Sequence, residues 1–143
     1  MTVRAILDTK GHQIQSVEPD AKLSAAIKIL GERKIGAVLV MSKGNIDGIL
    51  SERDIVMALA DHGGDLLARP VSAIMTSSVV TCGPSDSVGE LMAEMTSRRI
   101  RHFPVMSDGR LCGIVSIGDL VKNRLDEVEY EASSLRSFIA GAA

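Results

Sequence analysis

Apolar residues fall along this chain in two kinds of spacing, and each kind recurs. After Pro19, the residues Leu23, Ala26, Ile27 and Leu30 lie at the three- and four-residue intervals of a helix with one buried face. Val88, Leu91, Met92 and Met95 repeat that stripe after Pro84. Short runs rich in β-branched and aliphatic residues follow, Ala37 to Met41 and Phe103 to Met106, and predict strands. Lys43-Gly44-Asn45 and Asp108-Gly109-Arg110 then predict tight turns, because glycine accepts the positive φ that such turns require. Second strands are predicted over Ile46 to Leu50 and Leu111 to Val115, with second helices from Ser51 and Ser116 onward. Strands at Ile14 to Val17 and Val79 to Cys82 precede the first helices. The pattern is a β-α-β-β-α unit, used twice.

Sliding the chain against itself makes the duplication explicit. At an offset of 65 residues (Pro19 to Pro84), Ile35 meets Ile100, Gly44 meets Gly109, Gly48-Ile49 meets Gly113-Ile114, Ser51 meets Ser116, and Asp54 meets Asp119. Upstream, Val3 to Leu7 echoes Val71 to Met75 at an offset of 68 residues (Val3 to Val71), so the first copy has the longer connecting loop. One unit is too small to bury an adequate core. Two copies are therefore expected to pack sheet against sheet as a pseudo-twofold pair in an α+β fold, followed by a C-terminal helix. The expected divisions are 1–61 for the first repeat, 62–70 for a linker around His62-Gly63-Gly64-Asp65, 71–125 for the second repeat and 126–143 for an amphipathic helix. In that tail, Val128, Leu135, Phe138 and Ile139 alternate with Glu127, Glu129, Glu131 and Arg136. Packing on its own domain and contact with a partner are both open for it.

Composition narrows the function. With 45% hydrophobic and 24% charged residues, the chain has the balance of a folded protein and not of a disordered one. A net charge of −2 gives no global basic field for nucleic acid or an acidic membrane. No Trp, one Tyr and two Phe mean an aliphatic core and no platform on which bases stack. Apolar runs are too short to cross a bilayer, and the N-terminus lacks the apolar block of a signal peptide. Cys82 and Cys112 show no metal spacing and predict inert, reduced thiols in a cytoplasmic protein. His12, His62 and His102 have no ligand spacing among themselves or with the cysteines, so no metal site is expected. The nucleophile elbow, the P-loop, the dinucleotide glycine pattern and HExxH are all missing, so no catalytic residue and no enzyme activity are expected.

Two constellations remain. Ser51-Glu52-Arg53-Asp54 and Ser116-Ile117-Gly118-Asp119 have the spacing of a helix-capping pattern. The same geometry serves a ligand, since amides at a helix N-terminus attract phosphate and a first-turn carboxylate accepts ribose hydroxyls. Capping and binding are compatible. The second constellation is Arg98-Arg99-Ile100-Arg101-His102, which runs into a buried-type strand where the first copy has Gly36 and Ala37. A solvated charged face and a packed histidine are the plain readings of it. Conversely, Arg53 stands where the second copy has Gly118, so the cationic groups are complementary between copies. Facing each other, they would converge on one polyanion.

The motifs Gly48-Ile49-Leu50-Ser51-Glu52-Arg53-Asp54 and Arg101-His102-Phe103-Pro104-Val105, with Gly113-Ile114-Val115-Ser116-Ile117-Gly118-Asp119, resemble tandem cystathionine-β-synthase (CBS) domains of the stand-alone bacterial type over roughly the first 125 residues. The resemblance implies a Bateman module, a regulatory pair that binds adenosyl ligands: AMP first, then ATP, ADP, NAD(H) or S-adenosylmethionine. It assigns Asp54 and Asp119 to ribose, and Ser51, Arg53, Arg101, His102 and Ser116 to phosphate. Adenine would lie against Ile14, Ala37, Val79 and Pro104. The first copy lacks a proline at Leu39 and a basic residue at Gly36, and the second lacks an arginine at Gly118. One tight site and one weak or empty one are therefore expected. A homodimer and a separate effector protein are the implied partners. The competing readings are a ligand-free structural dimerisation module, a weak nucleic-acid binder using Arg98 to His102, and a phosphohydrolase using His102.

Overall fold

The structure is a computed structural model that describes residues 1–141; Ala142 and Ala143, the end of the expected tail helix, lie outside the described residues. The fold is mixed α+β, and the chain divides into two units: Gln13–Val80, and Met1–His12 together with Thr81–Ala143. The N-terminal segment thus belongs with the second repeat.

In the Gln13–Val80 unit, β1 (Ser16–Val17), β2 (Ala37–Ser42) and β3 (Asn45–Ser51) form a three-stranded sheet in that order, alongside α2 (Leu23–Arg33) and α3 (Glu52–His62). β1 runs parallel to β2, and β2 is antiparallel to β3 with a bulge at Val40/Met41. Lys43 and Gly44, both at positive φ, make the hairpin turn that the glycine predicted. The apolar stripe of α2 and the β2 run close on one core of Leu23, Ala26, Leu30, Val38, Val40 and Leu50. Within the stretch expected as a linker, Gly63–Ala68 is a 3₁₀ segment whose Leu66 is fully buried in that core. Past β3, Thr76 pairs with Ile49 through two 2.9 Å backbone bonds and covers the strand edge. This approach explains Gly48, since a Cβ there would lie 2.8 Å from the Thr76 carbonyl oxygen.

In the other unit, α1 (Val3–Lys10) precedes α4 (Val88–Arg98), β4 (His102–Ser107), β5 (Arg110–Ser116) and α5 (Ile117–Gly141). β4 and β5 form an antiparallel pair, again with a bulge, at Val105/Met106. Helix α1 buries Val3, Ile6 and Leu7 and packs against β5 and α5. Leu7 Cδ2 would lie 2.8 Å from a Cβ at Gly113, so both copies keep a glycine where a crossing segment presses on the second hairpin strand.

Three expectations are corrected. The strand expected at Val79 to Cys82 reduces to a single bridge from Cys82 to Val105. In the first copy the Leu39 amide donates to Gln15 O at 3.1 Å. Pro104 stands at the matching position and has no amide to give. The strand expected from Ile14 shortens to Ser16–Val17. The expected C-terminal helix is present, but it does not start at Asp126, because α5 runs unbroken through Leu125 and Asp126. Its first-copy counterpart stops at His62, where Gly63 turns to φ 70; no glycine follows in the second copy until Gly141.

Candidate functional site

Each hairpin delivers its second strand directly into a helix, and the Ser-x-x-Asp pair marks the junction. In the first copy Ser51 is the N-cap of α3, and its Oγ accepts from the Asp54 amide at 3.2 Å. Asp54 Oδ2 in return accepts from the Ser51 amide at 3.0 Å, closing a capping box. The Glu52 amide donates to Gly36 O at 3.0 Å, which fastens the start of the helix to the residue before β2. Ala37 lies opposite Ser51 in the β2–β3 register. The Thr76 hydroxyl donates to Asp54 Oδ1 at 3.2 Å.

The second copy repeats the frame with different chemistry around it. Asp119 Oδ2 accepts from the Ser116 amide at 2.8 Å, and the Asp119 amide donates to Ser116 Oγ at 3.1 Å. The Ile117 amide donates to Arg101 O at 2.8 Å, and His102 lies opposite Ser116 in the register. Where the first copy has Thr76, this unit has Lys10. Its ammonium donates to Asp119 Oδ2 at 2.6 Å and to Ile114 O at 2.8 Å. His12 Nδ1 lies 2.8 Å from Cys112 O, so the end of α1 runs along carbonyls of β5.

The electrostatics follow from this arrangement. Burial alone would raise the Asp119 carboxyl, but the Lys10 and Ser116 bonds outweigh it and hold it below the ordinary carboxylate range. Burial, reinforced by the Lys10 and Arg101 charges and opposed by Asp119, pushes His102 from 6.5 down to about 4. The ring is therefore uncharged at neutral pH, a hydrogen-bonding group and not the cation expected beside phosphate. Cys82 is buried, and burial with Asp86 and Glu94 nearby pushes its thiol up to about 12.

The structure brings Ser51, Arg53, Asp54 and Ala37 to one junction, and Ser116, Asp119, Arg101 and His102 to the other. Pro104 is buried within β4. Ile14 and Val79 are half-buried in irregular segments, both within the Gln13–Val80 unit. The rest of the arginine cluster has local roles: Arg98 pairs with Glu94 at 2.9 Å, and Arg99 closes α4 in the left-handed conformation. Among the described residues, no group of three His, Cys, Asp or Glu side chains is placed to hold a metal, and no helix is long and apolar enough to cross a membrane.

Sequence reasoning missed Lys10 and Thr76. Neither lies in a motif, and at the upstream offset Lys10 meets Ser78 and Thr76 meets Asp8, so the repeat comparison hides both.

The comparisons with known proteins agree with this duplicated frame. The family model for the CBS domain matches residues 3–61 and again 71–126. CBS domain-containing protein YhcV of Bacillus subtilis is 30% identical over 121 residues, which cover 85% of this chain and 86% of that one. The crystal structure of the CBS-domain protein ATU1752 from Agrobacterium tumefaciens superposes with a TM-score of 0.85 at 44% identity, covering 87% of this chain and 99% of that one. The CBS domain pair of protein MJ0100, solved with 5′-methylthioadenosine and S-adenosyl-L-methionine, gives a TM-score of 0.78 at 25% identity, covering 89% and 98% of the two chains. Two copies of one hairpin-to-helix junction, each inside a stretch matched by the same family, make this chain a member of the CBS-domain family with two such domains in tandem.

Proposed function

We propose that this protein is a regulatory module that binds an adenosine-containing ligand at the helix starts carrying Asp54 and Asp119, and that it acts on a separate protein or through its own oligomeric state. The observation that carries the reading is the duplicated capping box. In both copies it fixes a half-buried carboxylate in the first turn of a helix, beside the opening of a strand. The MJ0100 pair, solved with two adenosyl compounds, supports the class of ligand. A fixed carboxylate suits paired ribose hydroxyls, which every adenosyl ligand offers. Ser51 and Ser116, with Arg53, Arg101 and His102, would meet phosphate, and Ile14, Ala37, Val79 and Pro104 the adenine.

The two junctions differ in charge, and this supports one strong and one weak site. The Asp119 junction has Lys10 bonded to its carboxylate and Arg101 bonded to the helix start, whereas the Asp54 junction has Thr76, the uncharged Gly36 and Ala37, and Arg53 next to the acidic Glu52. A phosphorylated ligand such as AMP, ADP, ATP or NAD(H) suits the cationic junction best. Charge-assisted bonds of about 1.5–3 kcal/mol each, reduced by the cost of association, give affinities of micromolar order.

Calorimetric titration tests the reading. Asp119→Ala is expected to weaken AMP about 10- to 100-fold, with a smaller effect from Asp54→Ala, while both proteins stay folded. Arg101→Ala is expected to weaken AMP and leave adenosine unchanged. AMP binding that survives both aspartate substitutions would overturn the assignment to ribose.

A further inference from the structure

Helix α5 presents a face that its own unit leaves uncovered. From Val121, apolar side chains recur at Leu125, Val128, Ala132, Leu135 and Ile139, alternately four and three residues apart. That interval lays one seam along a helix for a partner helix to cover. Leu125, Leu135 and Ile139 are 63%, 59% and 74% exposed, and within α5 only Leu120 is buried. Helices in water draw most of their stability from burying an apolar face, so a seam of this length calls for an occupant.

The charges beside the seam specify that occupant. With Leu125, Ala132 and Ile139 at a and Val121, Val128 and Leu135 at d, Arg124, Glu131 and Phe138 fall at g, and Lys122, Glu129 and Arg136 fall at e. In a parallel, in-register pair, each g residue faces the e residue of the next heptad on the other helix. Arg124 then meets Glu129 of the second copy, and Glu131 meets Arg136 of the second copy. Both of these charged pairs are attractive. Antiparallel over the same seam, Glu129 would face Glu129, Glu131 would face Glu131, and Lys122 would face Arg136, all repulsive. We infer that Val121–Ile139 pairs with the same segment of a second copy as a parallel, in-register two-stranded coiled coil. The inference does not depend on the ligand reading.

The full chain carrying Cys112→Ser tests it by disulfide trapping and sedimentation. With Leu135→Cys, on the seam, oxidation by copper–phenanthroline is expected to give a covalent dimer at least about tenfold faster than with Ser134→Cys, one residue off the seam. Glu131→Arg is expected to raise the dimer dissociation constant about tenfold, and Glu131→Arg with Arg136→Glu to restore it. These positions are exposed, so a thermal transition equal to the parent's at a dilution where both chains are monomeric separates loss of pairing from loss of fold. A chain that is monomeric at about 100 μM would overturn the inference. Equal trapping at 134 and 135, a dimer indifferent to Glu131→Arg, or a double variant no better than the single would overturn it as well.

Discussion

The Lys10 ammonium lies 2.6 Å from the Asp119 carboxylate across 109 residues of sequence, joining the end of α1 to the first turn of α5. The bond ties the candidate ribose carboxylate to a helix outside its own repeat. Lys10→Met removes it together with the bond to Ile114 O. The two side chains are 34% and 24% exposed, so solvent screens the pair, and a loss of about 1 kcal/mol in urea unfolding is expected. The Asp119 carboxyl should titrate closer to its ordinary value. Unchanged stability and unchanged titration would show that the pair does not form in solution.

His102 gives the protein a characteristic acid response. Its folded value of about 4 lies below the 6.5 of the free ring, so between those values the unfolded chain holds the extra proton. Stability is therefore full above 6.5 and falls as the pH drops toward 4, by at most roughly 3 kcal/mol. Asp119 adds a further loss at lower pH, since its depressed carboxyl stabilises the fold only while ionised. Urea midpoints for the parent and His102→Gln between pH 4 and 7 measure the histidine part. The variant should show a flatter profile, and parallel profiles would contradict the assignment.

The paired glycines predict unequal damage. A Cβ at Gly48 meets backbone, the Thr76 carbonyl, whereas a Cβ at Gly113 meets the end of the Leu7 side chain. Gly48→Ala should cost about 3 kcal/mol and Gly113→Ala about 1–2 kcal/mol, because a side chain adjusts more readily than a main chain. Equal costs in thermal or chemical unfolding would argue against the crossing of Met75-Thr76 over β3.

The thiols should separate cleanly under a labelling reagent. Cys82 is buried with its thiol pushed up to about 12, whereas Cys112 is only half-buried. Native protein should label at Cys112 first, and Cys82 should react only on unfolding. Rapid labelling at Cys82 in the native state would contradict its placement beside Val105.

Much of the fold was legible because duplication doubles every signal. The helical stripes, the Lys43-Gly44 and Asp108-Gly109 turns and the two Ser–Asp junctions each appear twice, and local chemistry suffices to place them. What escaped depends on contacts distant in sequence or on a single atom. No local pattern sends α1 to the second repeat, so Lys10 was invisible as a neighbour of Asp119. The missing amide of Pro104 reduced a strand to one bridge, although Val79 to Cys82 reads well as a strand by itself. The protonation of His102 depends on burial and on Lys10, and neither is a property of the motif.

The most direct test of the ligand reading watches the backbone amides of both junctions by heteronuclear NMR while AMP, ATP, NAD and S-adenosylmethionine are added in turn. At least one of them should move the resonances of Ser51–Asp54 or Ser116–Asp119 saturably, at micromolar to submillimolar concentration, with the larger response at Asp119. If all four leave both helix starts unmoved, or if the shifts fall elsewhere in the chain, the capping boxes serve the fold alone and the protein is not an adenosyl-ligand module.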